Sequence, residues 1–163
     1  MDGGGLIVPK FNIEQVALCP PDAEVALAFL KEIGLEEWSK DHVVATGMVF
    51  GVHGTNEADL AFNYTGLQNA KELEVLNYAS GPNWMYGHGR DCSVSHLGMH
   101  VSAEELAEWR VWFAGKRIQV AQEVFTDSHT NPVIAGKRKY NYVIFSTRHI
   151  LGVDMKFICR IDQ

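Results

Sequence analysis

Two polar residues, Gln15 and His96, each interrupt an apolar strand pattern, in Gln15-Val16-Ala17-Leu18 and in His96-Leu97-Gly98-Met99. Each segment is followed by a helix-starting signal, an apolar helical stretch and a glycine, Gly34 or Gly115. The offset is 81 residues for both the polar pair and the glycine pair. An amide oxygen and an imidazole nitrogen bind metals or hydrogen-bond partners, and a polar group in a buried strand needs one or the other. Equivalent strands of two similar modules bring such a pair to one shared site. His100 lies four residues after His96, on the same face of the strand. His42, His53, His88, His129 and His149 fall at strand ends or in loops. The sequence has no Ser or Cys nucleophile motif, P-loop or dinucleotide fingerprint. Lys137-Arg138-Lys139 is a short basic run that reads as a solvated face, with contact to a ligand phosphate or carboxylate as the alternative.

The elements that must position these residues follow from the periodicity. Residues 11–19 read as a buried strand. Pro20-Pro21-Asp22 stops it and starts a helix with Val25, Leu27, Ala28, Phe29, Leu30 and Ile33 as its apolar face. Gly34 reads as a left-handed stop. Strands are expected at about 42–52, 59–64 and 72–78, with turns at Gly54-Thr55-Asn56 and Thr65-Gly66. The first half is therefore β-α-β-β-β. The stretch 80–91 is a Gly- and Pro-rich loop. Its Trp84, Met85 and Tyr86 read either as a lid over a pocket or as packing against the core or a subunit interface.

The second half starts with a strand over about 94–101. Ser102 with Glu105 forms a capping box, and Leu106, Trp109, Trp112 and Phe113 mark one helix face that reads as core. Strands are expected at about 118–125, 140–146 and 153–161, around a polar loop at 126–138. The order is again β-α-β-β-β. Module 1 covers about 11–79, a linker 80–92, and module 2 about 93–162, within one compact domain of 163 residues.

The net charge of −6 argues against nucleic-acid or anionic-membrane partners, which are held by basic patches. Cys19, Cys92 and Cys159 are widely spaced with no CxxC. They read as apolar fillers in a reducing cytoplasm, not as a disulfide framework or zinc site. The N-terminus does not read as a signal peptide, and no apolar run approaches the roughly 20 residues of a membrane span.

The segments IEQVALCPPDAEVALAFLKEIGL, ELEVLNY and SHLGMHV, in this order and spacing, resemble the vicinal oxygen chelate superfamily. That group includes glyoxalase I, methylmalonyl-CoA epimerase, extradiol dioxygenases, and fosfomycin- and bleomycin-resistance proteins. The resemblance spans about Phe11 to Arg160. It implies an α+β fold in which two tandem βαβββ modules form a curved mixed-sheet half-barrel cleft, commonly in a homodimer. It also implies a divalent metal (Zn, Ni, Mn or Fe) held by Gln15, Glu74, His96 and a fourth group. The family's last ligand is a Glu four residues after a strand-opening glycine. Counted from Gly152, that position is Lys156, a departure from the pattern. The 81-residue offset instead carries Glu74 onto Met155, which Asp154 and Lys156 flank. If Asp154 faces inward, a Gln15/Glu74/His96/Asp154 site results. If Lys156 does, its cation repels a metal and pairs with Glu74.

The resemblance thus implies an isomerase or lyase acting on a small oxygenated substrate through an enediolate. Glu74 and Asp154 would be its catalytic carboxylates, and Trp84, Tyr86, His100 and Lys156 would line the substrate site. The alternative is a metal-free protein that sequesters a small molecule, similar to bleomycin-resistance proteins. A third reading is a noncatalytic module that binds a partner through the Trp84–Tyr86 loop.

Overall fold

Two side-chain caps set where strand gives way to helix in the computed structural model, which describes residues 10–67, 71–81, 83, 94–128, 138–151 and 153–162. Asp22 accepts a bond from the Val25 backbone N–H at 3.1 Å and opens α1 (Ala23–Glu32). Ser102 and Glu105 exchange bonds, each 3.1 Å long, and open α2 (Ala103–Gly115). Each capping bond satisfies a backbone group that has no partner inside its own helix.

The strands are β1 (Gln15–Leu18), β2 (Ser39–Val49), β3 (Val52–Asn63), β4 (Glu72–Ser80), β5 (Val94–Val101), β6 (Val120–Ser128), β7 (Lys139–Phe145) and β8 (Asp154–Arg160). A short helix α3 (Arg148–Leu151) lies between β7 and β8. Each module supplies four strands, and the two half-barrels close into one ring in the order β1-β4-β3-β2-β6-β7-β8-β5. Within the modules β1 runs parallel to β4 and β5 parallel to β8. Between them β1 pairs antiparallel with β5, and β2 with β6. The repeat expected from sequence is thus a repeat of topology.

One turn differs from the expectation. β2 and β3 meet at Phe50-Gly51, not at Gly54-Thr55-Asn56. Both residues have positive φ, 47° and 78°, as a tight hairpin of this hand requires, and Gly51 meets the requirement without a side-chain clash. The signal was hidden because Phe is an uncommon residue in that conformation.

Strand parity decides what faces the barrel interior. On β8, Met155, Phe157 and Cys159 point outward beneath α2, in a core with Leu106, Trp109 and Phe113. Phe113 stacks on Phe145 at 4.0 Å, and Trp109 lies 5.0 Å from Phe157. This aromatic pile fixes β8, and with it the alternate residues that point inward. The first helix is held less deeply. Leu27 is buried against Ala61 and Val75, whereas Val25, Phe29 and Ile33 are exposed. Among the described residues no helix is long and apolar enough to cross a membrane, and Cys159 is a buried thiol.

Candidate functional site

Gln15 on β1 and His96 on β5 meet inside the barrel, with the amide oxygen 2.6 Å from His96 Nε2. Gly98 makes this possible. A Cβ there would lie 3.0–3.1 Å from the Gln15 side chain, so the glycine leaves room for the amide to cross β5. The amide donates from Nε2 to a Glu72 carboxylate oxygen at 2.5 Å. Its carbonyl oxygen therefore faces His96, and His96 Nε2 carries a proton and donates it. His96 Nδ1 then accepts from the Ser95 hydroxyl at 3.0 Å. The result is a directed chain, Ser95 to His96 to Gln15 to Glu72. Burial, joined by the nearby Lys156 charge, pushes the imidazole down to about 4, so the ring is neutral at neutral pH.

Register settles which residue of β8 corresponds to Glu74. Gln15 pairs with Glu72, and two residues on Ala17 pairs with Glu74. His96 pairs with Asp154, and two residues on Gly98 pairs with Lys156. With Gln15 and His96 equivalent, Glu72 matches Asp154 and Glu74 matches Lys156. The sequence offset missed this by one residue because module 2 carries one extra position before β8.

Glu74 and Lys156 also meet. The ammonium lies 3.7 Å from Glu74 Oε2, and His96 Nε2 lies 3.5 Å from the same oxygen. Both contacts are too long for good hydrogen bonds, and neither Glu74 oxygen accepts one among the described residues. The carboxylate side chain is 1% exposed. Burial pushes its pKa up, but the Lys156 and His96 contacts outweigh burial and hold it below the usual range. Lys156 lies 4.3 Å from the centre of the Tyr142 ring, so an aromatic face shares the cation. At Glu72, burial and then the Glu74 charge push the carboxyl up.

Asp154, expected as base or fourth ligand, is turned onto Arg148. Its Oδ1 accepts from the Arg148 backbone N–H at 2.9 Å, and its Oδ2 lies 3.5 Å from the guanidinium. Arg148 also donates to the Ser95 carbonyl at 3.1 Å, tying β8 to the strand that bears His96. His100 reaches the barrel mouth and contacts Glu14 at 3.2 Å. Trp84 and Tyr86 lie outside the described residues.

A divalent ion of the kind the resemblance implies would have to be held by Gln15, Glu74 and His96. The fourth position is Lys156, an ammonium that already balances Glu74 and would sit against the ion. The acid beside it in sequence, Asp154, is engaged by Arg148. The residues present do not fit a divalent cation, because a like charge in a buried site opposes binding.

Two spaces with shared lining residues flank the pair. An inner chamber of about 30 Å³ is lined by Glu74, His96, Lys156, Tyr142, the polar Asn56, Tyr78, Gln122 and Thr126, and apolar residues, room for little more than a water-sized group. A mouth of about 340 Å³ is lined by Phe62, Tyr64, Glu72, Arg138, Tyr140 and their neighbours. Lys156 and Tyr142 border both. The sequence reading passed over Glu72, Tyr140 and Tyr142. Parity pointed to all three, since 72 is two before Glu74, and 140 and 142 share a strand face.

No family model matches the chain, and no curated protein does. Solved structures do match. A hypothetical protein from Bacillus halodurans C-125 has a TM-score of 0.54 at 14% identity, over 93% of this chain and 96% of that one. A methylmalonyl-CoA epimerase variant from Streptomyces coelicolor, in complex with 2-nitronate-propionyl-CoA, has a TM-score of 0.53 at 11% identity, over 93% of this chain and 98% of that one. Methylmalonyl-CoA epimerase from Mycobacterium tuberculosis has a TM-score of 0.52 at 11% identity, over 94% of this chain and 93% of that one. The chain shares the fold of these structures, the fold that the resemblance to the vicinal oxygen chelate superfamily implies. At these identities the likeness concerns the fold, and function must be argued from the site.

Proposed function

We propose that the chain is an isomerase that moves a proton at the carbon beside a carbonyl, with the Glu74–Lys156 pair in the role a metal plays elsewhere in this fold. The observation that carries the reading is Glu74: a fully buried carboxylate with no hydrogen bond to either oxygen among the described residues, facing a chamber beside a fixed ammonium. Buried polar groups are normally satisfied, and an exception in a cavity points to a ligand. The carbonyl head of a small oxygenated substrate enters the chamber. Its oxygen takes a hydrogen bond from the Lys156 ammonium, which stabilises the negative charge that develops there. Glu74 removes the adjacent proton and returns it to the product, so the step is redox-neutral. The epimerase neighbours support this class of chemistry as analogy.

The test is exchange of the methyl protons of pyruvate, a simple 2-oxo acid, for deuterium, followed by NMR with and without chelator. Accelerated exchange, unchanged by chelator and lost in Glu74→Gln, supports the proposal. Exchange no faster than in buffer sinks it for this substrate class. A second reading, a protein that sequesters its ligand without turnover, is favoured by the lowered basicity of Glu74. It gives chelator-independent binding with no exchange.

A further inference from the structure

The mouth above the Glu74–Lys156 pair is walled by aromatic rings from two separate parts of the barrel. On and just after β3, Phe62 and Tyr64 stack at 6.4 Å with an interplanar angle of 19°. On β7, Tyr140 and Tyr142 stack at 5.7 Å and 26°. All four line the same space. β2 and β6 separate the two pairs around the ring, so the pairs belong to different walls and not to one continuous stack.

We propose that this mouth is a slot for a flat aryl group, and that the ligand is an aryl-substituted oxo acid or a close chemical relative. The clause about the head group rests on the proton-transfer reading above; the slot itself does not. The chamber of about 30 Å³ admits a carbonyl oxygen and little more. The mouth of about 340 Å³ falls at the low end of small-molecule pockets, typically about 300–1,000 Å³. An aryl ring has two π-faces to offer to two aromatic walls, and offset or edge-to-face contacts with each are favourable. A flexible aliphatic tail gains less from such walls and loses rotational freedom on entering them. Lys156, which borders both spaces, and Arg138 supply positive charge to a lining that also carries the acids Asp41 and Glu72. The ligand therefore carries its oxygens inward, toward Lys156, and its ring between the walls.

The experiment compares phenylpyruvate with pyruvate as probes, by equilibrium binding and by ligand-induced shift of the melting temperature. Phenylpyruvate is expected to bind at least about tenfold more tightly than pyruvate. Phe62→Ala and Tyr140→Ala are expected to erase most of that preference, with Tyr140→Phe restoring it because the ring is kept. Far-UV circular dichroism checks that each variant is folded. Equal binding of the two acids, no binding of either, or a preference that survives both alanine variants overturns the slot. Glu74→Gln separates the two proposals: it leaves the aryl preference in place while removing exchange. An aryl preference in wild type without pyruvate exchange defeats only the proton-transfer reading. Exchange without an aryl preference defeats only the slot.

Discussion

Replacing Lys156 with methionine leaves Glu74 as a charge sealed inside the barrel. Two unit charges 3.7 Å apart interact by about 4 kcal/mol at an effective dielectric constant near 20. Both side chains are under a tenth exposed, so solvent screening takes little from that figure. Breaking a buried pair by removing one partner costs about 3–5 kcal/mol in other proteins, which agrees. Lys156→Met is therefore expected to destabilise by about 4 kcal/mol at pH 7, or about 8–16 °C in melting temperature for a chain of this size. Glu74→Leu is expected to cost less, because Lys156 still has the Tyr142 ring and borders the mouth, where water can reach it. The double variant is expected to recover most of the loss, since paired charges replaced by apolar groups are often near neutral. Urea unfolding of the four proteins closes a double-mutant cycle. A cost below about 1 kcal/mol for Lys156→Met is what exposed ion pairs give; it would refute the placement of Lys156 against Glu74.

Three other outcomes follow from the geometry. Lys156→Glu puts a carboxylate at the position that matches Glu74, so the variant is expected to gain Ni²⁺ or Zn²⁺ binding, read as metal-dependent thermal stabilisation absent in wild type; no gain would show that the lysine is not what opposes the ion. His96 has its folded value lowered to about 4 from 6.5. The unfolded chain then binds the extra proton between those values, and stability falls as pH drops through that window. The loss from this residue is about 2 kcal/mol between pH 7 and pH 5, and a constant difference between wild type and His96→Gln over that range would contradict it. Gly47→Ala would place a Cβ 1.9 Å from the Glu123 carbonyl oxygen across the β2–β6 seam. It is expected to cost about 3 kcal/mol or more, whereas Gly115→Ala, with open space around its Cβ at the end of α2, is expected to stabilise by about 0.5 kcal/mol; chemical denaturation of both variants checks the contrast.

The repeat was legible because it is written in residue types that backbone geometry demands. Caps, glycine stops and a polar residue inside an apolar strand recur in both halves, and their spacing alone put Gln15 near His96. What the spacing lacked was the single inserted position that decides between Asp154 and Lys156. That choice depends on the pairing of β5 with β8, a long-range property no local pattern encodes. The hairpin at Phe50-Gly51 was hidden for a different reason. A tertiary setting holds a phenylalanine in a backbone conformation it rarely adopts. The aromatic mouth escaped because its four rings come from distant segments and gather only when the strands close.

Closure of the ring also bears on how the protein can associate. Sheet proteins often join by lending a strand, or by aligning an outermost strand with that of another copy. Here each of the eight described strands has a hydrogen-bonded neighbour on both sides, so among the described residues no strand edge is left open. Two copies that meet face to face, through side chains such as the exposed Val25, Phe29 and Ile33 along α1, need no strand pairing between them. Such a contact leaves the chamber and its charge pair entirely within one chain, and dilution to a monomer would not take the site apart.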